Sequence, residues 1–352
     1  MKKNVAIFCP SGNFGGMELD SIKLSKKLNA HCNIVLLTKK GGFLEQNFDK
    51  YFTKEDDVKL ESLAFKSFSF LDTIIQTRKI LKEYNIKNII YFGTSKLRVV
   101  YFALFGTNIN LIARHGTTRR EKKGVFNKLV YSRIDYHIAI SNHLLKNVKD
   151  IFPFGKQTKS FLIYPSLEPI KLEKQINEKL TILHTGRIAR GKGQVDAIKA
   201  CEILVQNSID FELFLVGGYE DGYEEEFTKF YNSIDYKDKI KLVGFTNKVE
   251  EYLKKADIFL FPSYGEGLGN SFLEALNFEL KCISYNNTAF PELKELGFDF
   301  ILVDDKNINR LKESLLKVVK NEITFDLKKN KNIIETIFSE NNEIKKYLEV
   351  LV

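Results

Sequence analysis

Tryptophan is absent from this sequence, and proline, cysteine and methionine are sparse, at 6, 4 and 2 of 352 residues. Cys9, Cys32, Cys201 and Cys282 are scattered, with no Cys-x-x-Cys pair. That spacing argues against a disulfide framework or a zinc site and fits reduced thiols. No apolar run approaches the ~18 residues of a membrane span. The opening stretch MKKNVAIFCPSG is basic, but its apolar run (Val5 to Cys9) is shorter than the roughly 7–15 residues of a secretory signal core. The expectation is a cytoplasmic protein whose only membrane contact is peripheral, on the inner face.

What is present suggests two halves. The length exceeds one ordinary core, so two domains of about 150–200 residues each are expected. Residues 1–170 carry 28 Lys and Arg against 14 Asp and Glu, net +14, whereas the remainder carries 26 against 31, net −5. A basic half joined to an acidic half points to different partners for each. Short apolar runs (NVAIFCP, CNIVLLT, IKNIIYFG, NINLIARHG, DYHIAIS) alternate with helical spacings such as Leu19, Ile22, Leu24 and Leu28. This is the pattern of a parallel, doubly wound α/β sheet. It breaks across FPFGKQTKSFLIYPSLEPIKLEKQINEKL, which reads as a linker, and restarts with LTILHTGR, FELFLVGG, IKLVGF, DIFLFPS and KCISYN. The predicted boundaries are residues 1–165, 166–335 and a C-terminal helix over 336–352 that returns to the first domain.

Ligands of such sheets bind where strands exit, so the glycine-rich exits carry the functional candidates. DIFLFPSYGEGLGNSFLEAL delivers an apolar strand to a glycine turn, with a helix expected to start at Asn270 or Ser271. A helix start with closely approachable glycines suits a phosphate. Glu274 has an alternative purpose, since Ser271-x-x-Glu274 has the form of a capping box. Glu266, in the loop, has none. HTGRIARGKGQ places Arg187, Arg190 and Lys192 around a second glycine turn, and two cations there suit a diphosphate. That turn matches neither the Walker loop nor the dinucleotide fingerprint. SGNFGGMELD is a glycine-rich first exit, and ARHGTTRREKKG puts His115 at a Gly-flanked exit before Arg119, Arg120, Lys122 and Lys123. A lone loop histidine is more often structural, and the basic loop suits solvent, phosphate or a membrane.

Taken together, these segments resemble the family four glycosyltransferases (glycosyl transferases group 1), which are retaining enzymes of GT-B fold. The resemblance rests on Gly15, Gly16 and Glu18; on Gly186, Arg187, Lys192 and Gly193; on the Glu266-x7-Glu274 spacing; and on NNTAFPEL as a Gly-Gly-x-Pro-Glu segment with Pro291 and Glu292 aligned. It implies two Rossmann-like domains with parallel sheets facing across a cleft, the first binding an acceptor and the second a nucleotide-sugar donor. It further implies that Arg187, Lys192, Glu266 and His115 are catalytic. Arg187 and Lys192 would hold the donor diphosphate, Glu266 the transferred sugar and Glu274 the ribose. Gly186, Gly267, Leu268, Gly269, Asn270 and Ser271 would line the donor, with Gly16 and His115 facing the reaction centre. Arg119, Arg120, Lys122 and Lys123 would meet acceptor or membrane.

Two departures fall on GGYEDG, where the family has Gly-Asp-Gly, and on YPSLEP, where it has Asn-Gly. With no Asp-x-Asp motif and two cations available, neither metal nor cofactor is expected. UDP is favoured over GDP in the donor, and no nucleic acid is expected as a partner. The reaction implied is sugar transfer to an acceptor hydroxyl in surface-polysaccharide or lipid-linked glycan synthesis. A nucleotide-sugar epimerase of the same fold is the nearest alternative. A nucleic-acid-binding protein explains only the basic half.

Overall fold

The computed structural model describes residues 2–65, 70–118, 124–155, 157–170 and 177–352. The loop carrying Arg119, Arg120, Lys122 and Lys123 lies outside the described residues. The chain divides into two units, Met1–Pro165 with Glu340–Val352, and Ser166–Ser339.

The first unit is built on β1 (Lys3–Cys9), β2 (Cys32–Lys39), β3 (Val58–Leu63), β4 (Asn88–Phe92), β5 (Asn110–His115), β6 (Tyr136–Ala139) and β7 (Lys159–Leu162). All are parallel, in the order β3-β2-β1-β4-β5-β6-β7. Its helices are α1 (Gly16–Asn29), the short α2 (Phe43–Gln46) and α3 (Phe48–Tyr51), α4 (Phe70–Glu83), α5 (Leu97–Ala103), α6 (Val125–Tyr131) and α7 (Asn142–Ile151). The inner strands β1, β2, β4, β5 and β6 are largely buried on both faces, which is why they read as continuous apolar runs. Val5, Ile7, Ile34, Leu36 and Ile90 pack with α1, while Ala6, Phe8, Leu37, Ile89 and Tyr91 pack towards α4 to α7.

Two strands depart from the sequence reading. β7 lies inside the stretch read as a linker, and β3 has no counterpart in it. Both are sheet edges with half-exposed residues between polar ones, so neither needs an apolar run.

The second unit repeats the plan. It contains β8 (Leu180–Thr185), α8 (Gln194–Gln206), β9 (Phe211–Val216), α9 (Glu224–Asn232), β10 (Ile240–Gly244), α10 (Val249–Lys255), β11 (Ile258–Phe261), α11 (Asn270–Asn277), β12 (Lys281–Tyr285), α12 (Phe290–Glu295), β13 (Ile301–Val303), α13 (Ile308–Val319) and α14 (Leu327–Ile337). The parallel order is β10-β9-β8-β11-β12-β13. Strand order reverses between β8 and β11, so the loops leaving those two strands diverge and open a crevice at their carboxyl ends. These loops are the two glycine-rich turns with Lys192 and Glu266.

The last helix, α15 (Glu340–Val350), packs in the first unit. Tyr347 and Val350 enter the core beside α1, and Lys27 pairs with the nearly buried Glu343 at 2.9 Å. Arg114, buried in β5, donates to the Tyr347 hydroxyl at 3.2 Å and pairs with Asp20 at 3.0 Å. Burial alone lowers an arginine pKa, but Asp20, Tyr347 and Glu343 outweigh it and carry Arg114 above its ordinary value. A buried cation satisfied from two elements resists separation of either, because a stranded charge in the core is costly. The helix is thereby fastened at both its first and last turns.

Candidate functional site

The chain leaves β8 at Thr185 into Gly186, at φ 142°, and re-enters a helix at Gln194 after Gly193, at φ 87°. The turn lies hard against the exit of β11: a Cβ on Gly193 would come within 2.3 Å of the Pro262 carbonyl oxygen. Only glycine fits there. Tyr264 N–H donates to the Gly191 carbonyl at 2.8 Å, which ties the two exits together. The Gln194 side-chain amide holds the Arg187 carbonyl at 2.9 Å. The Arg187 side chain is exposed, and among the described residues no carboxylate pairs with it. Arg190 turns away, pairing with Glu226 on α9 and covering Tyr223.

Lys192 points to the other exit. Its Nζ lies 2.8 and 2.9 Å from the two carboxylate oxygens of Glu266, whose side chain is only 12% exposed. Ser263 Oγ donates to the same carboxylate at 2.8 Å. The Glu266 N–H donates to Thr288 Oγ1 at 2.9 Å, and Asn287 holds the Ser263 carbonyl at 2.9 Å. Glu266 is thus fixed at both its backbone and its carboxylate.

Beyond it, α11 begins after Gly269, at φ 84°. The helix therefore starts at Asn270, and the cap is a glycine with no side-chain cap bond. This overturns the capping-box account of Glu274. Ser271 is the second helical residue and Glu274 the fifth, so Glu274 is not the third-position partner that motif requires. Leu268 is buried, while Gly267, Asn270, Ser271 and Glu274 are half-buried. The first N–H groups of a helix have no intrahelical acceptor and favour anions. Gly186, Arg187, Lys192, Glu266 and the start of α11 thus come together at one end of one sheet. The arrangement can neutralise a diphosphate and hold hydroxyls by carboxylate.

The model of the glycosyl transferases group 1 family matches residues 168–339. Residues 168–339, nearly all of the second unit, thus carry that family's domain. The capsular polysaccharide biosynthesis glycosyltransferase CapH of Staphylococcus aureus is 25% identical over 333 residues, covering 89% of this chain and 90% of CapH. The UDP-Gal:alpha-D-GlcNAc-diphosphoundecaprenol alpha-1,3-galactosyltransferase of Escherichia coli is 23% identical over 202 residues, 56% of this chain and 52% of that one. Among solved structures, HepE of Anabaena in complex with UDP-glucose has a TM-score of 0.82 at 16% identity, covering 99% of this chain and 98% of HepE. That last likeness is one of fold, and it makes the two Rossmann-like units a GT-B architecture. This glycosyltransferase transfers a sugar to an acceptor.

Three residues of the glycosyltransferase's site network escape sequence reasoning. Ser263 carries no motif signal, and Asn287 and Thr288 lie within NNTAFPEL without being singled out there, yet all three fix the Glu266 loop. Thr288 has a left-handed backbone, φ 44°, costly for a β-branched residue. With Pro291 and Glu292 aligned to the family segment, Thr288 stands where that segment has its first glycine. Strain tolerated there is offset by the bond its hydroxyl accepts from Glu266. Thr288→Gly is expected to keep or raise the melting temperature while turnover falls about tenfold, the worth of one well-placed hydrogen bond. Thr288→Ser should restore turnover. Full activity in Thr288→Gly would detach the hydroxyl from the function of Glu266.

His184, buried in β8, has Nε2 2.9 Å from the Lys192 carbonyl. That carbonyl only accepts, so Nε2 carries the proton, and the buried Nδ1 has no partner among the described residues. Burial, then the charge of Lys192, pushes its pKa down to about 4, and burial does the same to His137. Both folded-state values lie below the ordinary 6.5, so the unfolded chain takes up these protons first as pH falls. The stability these groups confer is full above about pH 6.5 and declines towards pH 4. Melting temperatures measured across that window should fall with pH, and less steeply in His184→Gln. A flat profile would contradict the burial of neutral imidazoles.

In the first unit, Gly16 is the exposed first residue of α1, with open space where a Cβ would stand. Neighbouring Glu18 is buried, 4.0 Å from the Cys9 sulfur. His115 ends β5, as its strand-exit position suggests, but its ring is inside the unit. It is 1% exposed, lies 2.9 Å from His137 Nδ1 through Nε2, and packs on Phe152. In this conformation His115 is a core residue.

Proposed function

We propose that the protein is a retaining, metal-independent glycosyltransferase that uses a UDP-sugar to extend a lipid-linked or lipid-anchored glycan in surface-polysaccharide synthesis. The observation that carries the donor half is the meeting of two cations, Arg187 and Lys192, with the start of α11 and Glu266 at the reversal point of one parallel sheet. The diphosphate would take Lys192 from Glu266, leaving the carboxylate to the transferred sugar. Glu274 would hold the ribose, and the backbone from Gly267 to Ser271 would hold phosphate or sugar oxygens. Charge develops on the departing diphosphate in the transition state, where fixed cations and helix N–H groups stabilise it most.

UDP is favoured because HepE binds UDP and UDP-glucose. The acceptor class is supported by the capsular assignment of CapH and by the diphosphoundecaprenol-linked substrate of the E. coli galactosyltransferase. The basic first half suits an anionic, inner-membrane acceptor, with Arg119, Arg120, Lys122 and Lys123 as its expected contacts.

Incubation with UDP-, GDP- and ADP-sugars, scored by release of the nucleoside diphosphate, tests the donor assignment. UDP-sugars should turn over, and turnover should persist in excess chelator. Activity lost in chelator and restored by magnesium or manganese would overturn the metal-independent scheme. An epimerised sugar nucleotide without acceptor would favour the epimerase.

A further inference from the structure

We infer that the outer face of α4, α5 and α6 in the first unit is a membrane-docking surface that inserts apolar side chains between anionic lipid headgroups. This deepens the lipid-acceptor reading above and rests on it only for its purpose.

The face is apolar where a solvated helix surface is normally polar. Leu71 and Ile75 on α4, Phe105 after α5 and Val125 on α6 are each 64–86% exposed, and Leu129 joins them one turn along α6. The patch is continuous. The Phe70 ring meets Phe102 edge-on at 5.9 Å, and Phe102 stacks on Phe126 at 6.2 Å, so one aromatic ridge crosses all three helices. Scattered exposed apolar residues need no explanation, but a contiguous patch marks an interaction surface.

Charge identifies the partner. These three helices carry Arg78, Lys79, Lys82, Arg98 and Lys128 against Asp72 and Glu83. On α4 the exposed stripe passes from Leu71 and Ile75 to Arg78, Lys79 and Lys82, apolar at one end and cationic at the other. Arg98 lies over the Phe126 ring at 4.9 Å, and Arg78 donates to the Phe105 carbonyl at 2.6 Å, so cations border the apolar ridge directly. An apolar band edged with Lys and Arg fits an anionic bilayer interface, where rings and leucines enter the acyl boundary and cations stay among phosphates. A second copy of the chain is disfavoured, because a two-fold contact would press two copies of the same net-cationic face together.

The test is co-sedimentation of the full chain with phosphatidylglycerol-rich and with pure phosphatidylcholine vesicles, for the wild type and an Ile75→Asp/Leu129→Asp double variant. Both positions are exposed, so the variant should melt with the wild type and release UDP from a soluble UDP-sugar at the wild-type rate. The wild type should bind the phosphatidylglycerol vesicles preferentially. The variant should bind them at least about tenfold more weakly, since each Ile or Leu taken out of water is worth more than a factor of ten. Equal binding by both proteins, or none by the wild type, would overturn the inference. So would light scattering that finds a wild-type dimer and a monomeric variant, since the face would then be a self-interface. Vesicle binding is read apart from turnover: failure of UDP-sugar turnover with vesicle binding intact would count against the donor reading alone.

Discussion

Arg187→Ala is expected to lower turnover by about 10²–10³-fold with the melting temperature unchanged, and Lys192→Ala by a similar factor with some loss of stability. The common factor follows from two cations facing one leaving diphosphate, each acting as a fixed donor to charge that grows in the transition state. The difference in stability follows from their surroundings. Arg187 is exposed and has no carboxylate partner among the described residues, so its removal strands nothing. Lys192 is held between both oxygens of a largely buried Glu266, and Lys192→Ala leaves that carboxylate with Ser263 as its remaining side-chain donor. Rates near wild type in both variants would remove the diphosphate from this turn. Because the Lys192 variant mixes two effects, Arg187→Ala is the cleaner probe.

Glu274→Gln is expected to weaken UDP binding by about 10- to 100-fold, the worth of a hydrogen bond to a charged group, with little change in melting temperature. Since α11 starts at Asn270 behind a glycine cap, Glu274 has no capping-box role to lose. A ribose diol offers two donors that a carboxylate can accept together, whereas an amide presents one acceptor and one donor. Calorimetric titration of UDP into both proteins checks this. Unchanged affinity would assign Glu274 to packing within the second unit.

Much of this arrangement was legible in the sequence, and the reasons are local. Strands buried on both faces announce themselves as apolar runs, so β1, β2, β4 and β8 were readable without any partner in view. Gly193 and Gly269 were readable as turns because the backbone needs positive φ there. Edge strands β3 and β7 were not, because half of each faces solvent or polar neighbours. The Glu266 anchors were illegible for another reason. Ser263, Asn287 and Thr288 come from the ends of two different strands and meet only when β11 and β12 pair, so no spacing records them. His115 illustrates the limit of positional reasoning: a strand exit fixes where the backbone ends, while the ring's direction depends on His137 and Phe152 across the fold.

Whether the glycine turn after β8 holds a diphosphate is read from one pair of titrations. UDP and uridine are titrated in turn into the wild type and Arg187→Ala. The variant should bind UDP about tenfold or more weakly, the loss of a charge-assisted contact, and bind uridine as the wild type does. Equal loss for both ligands, or none for UDP, would contradict a diphosphate held there.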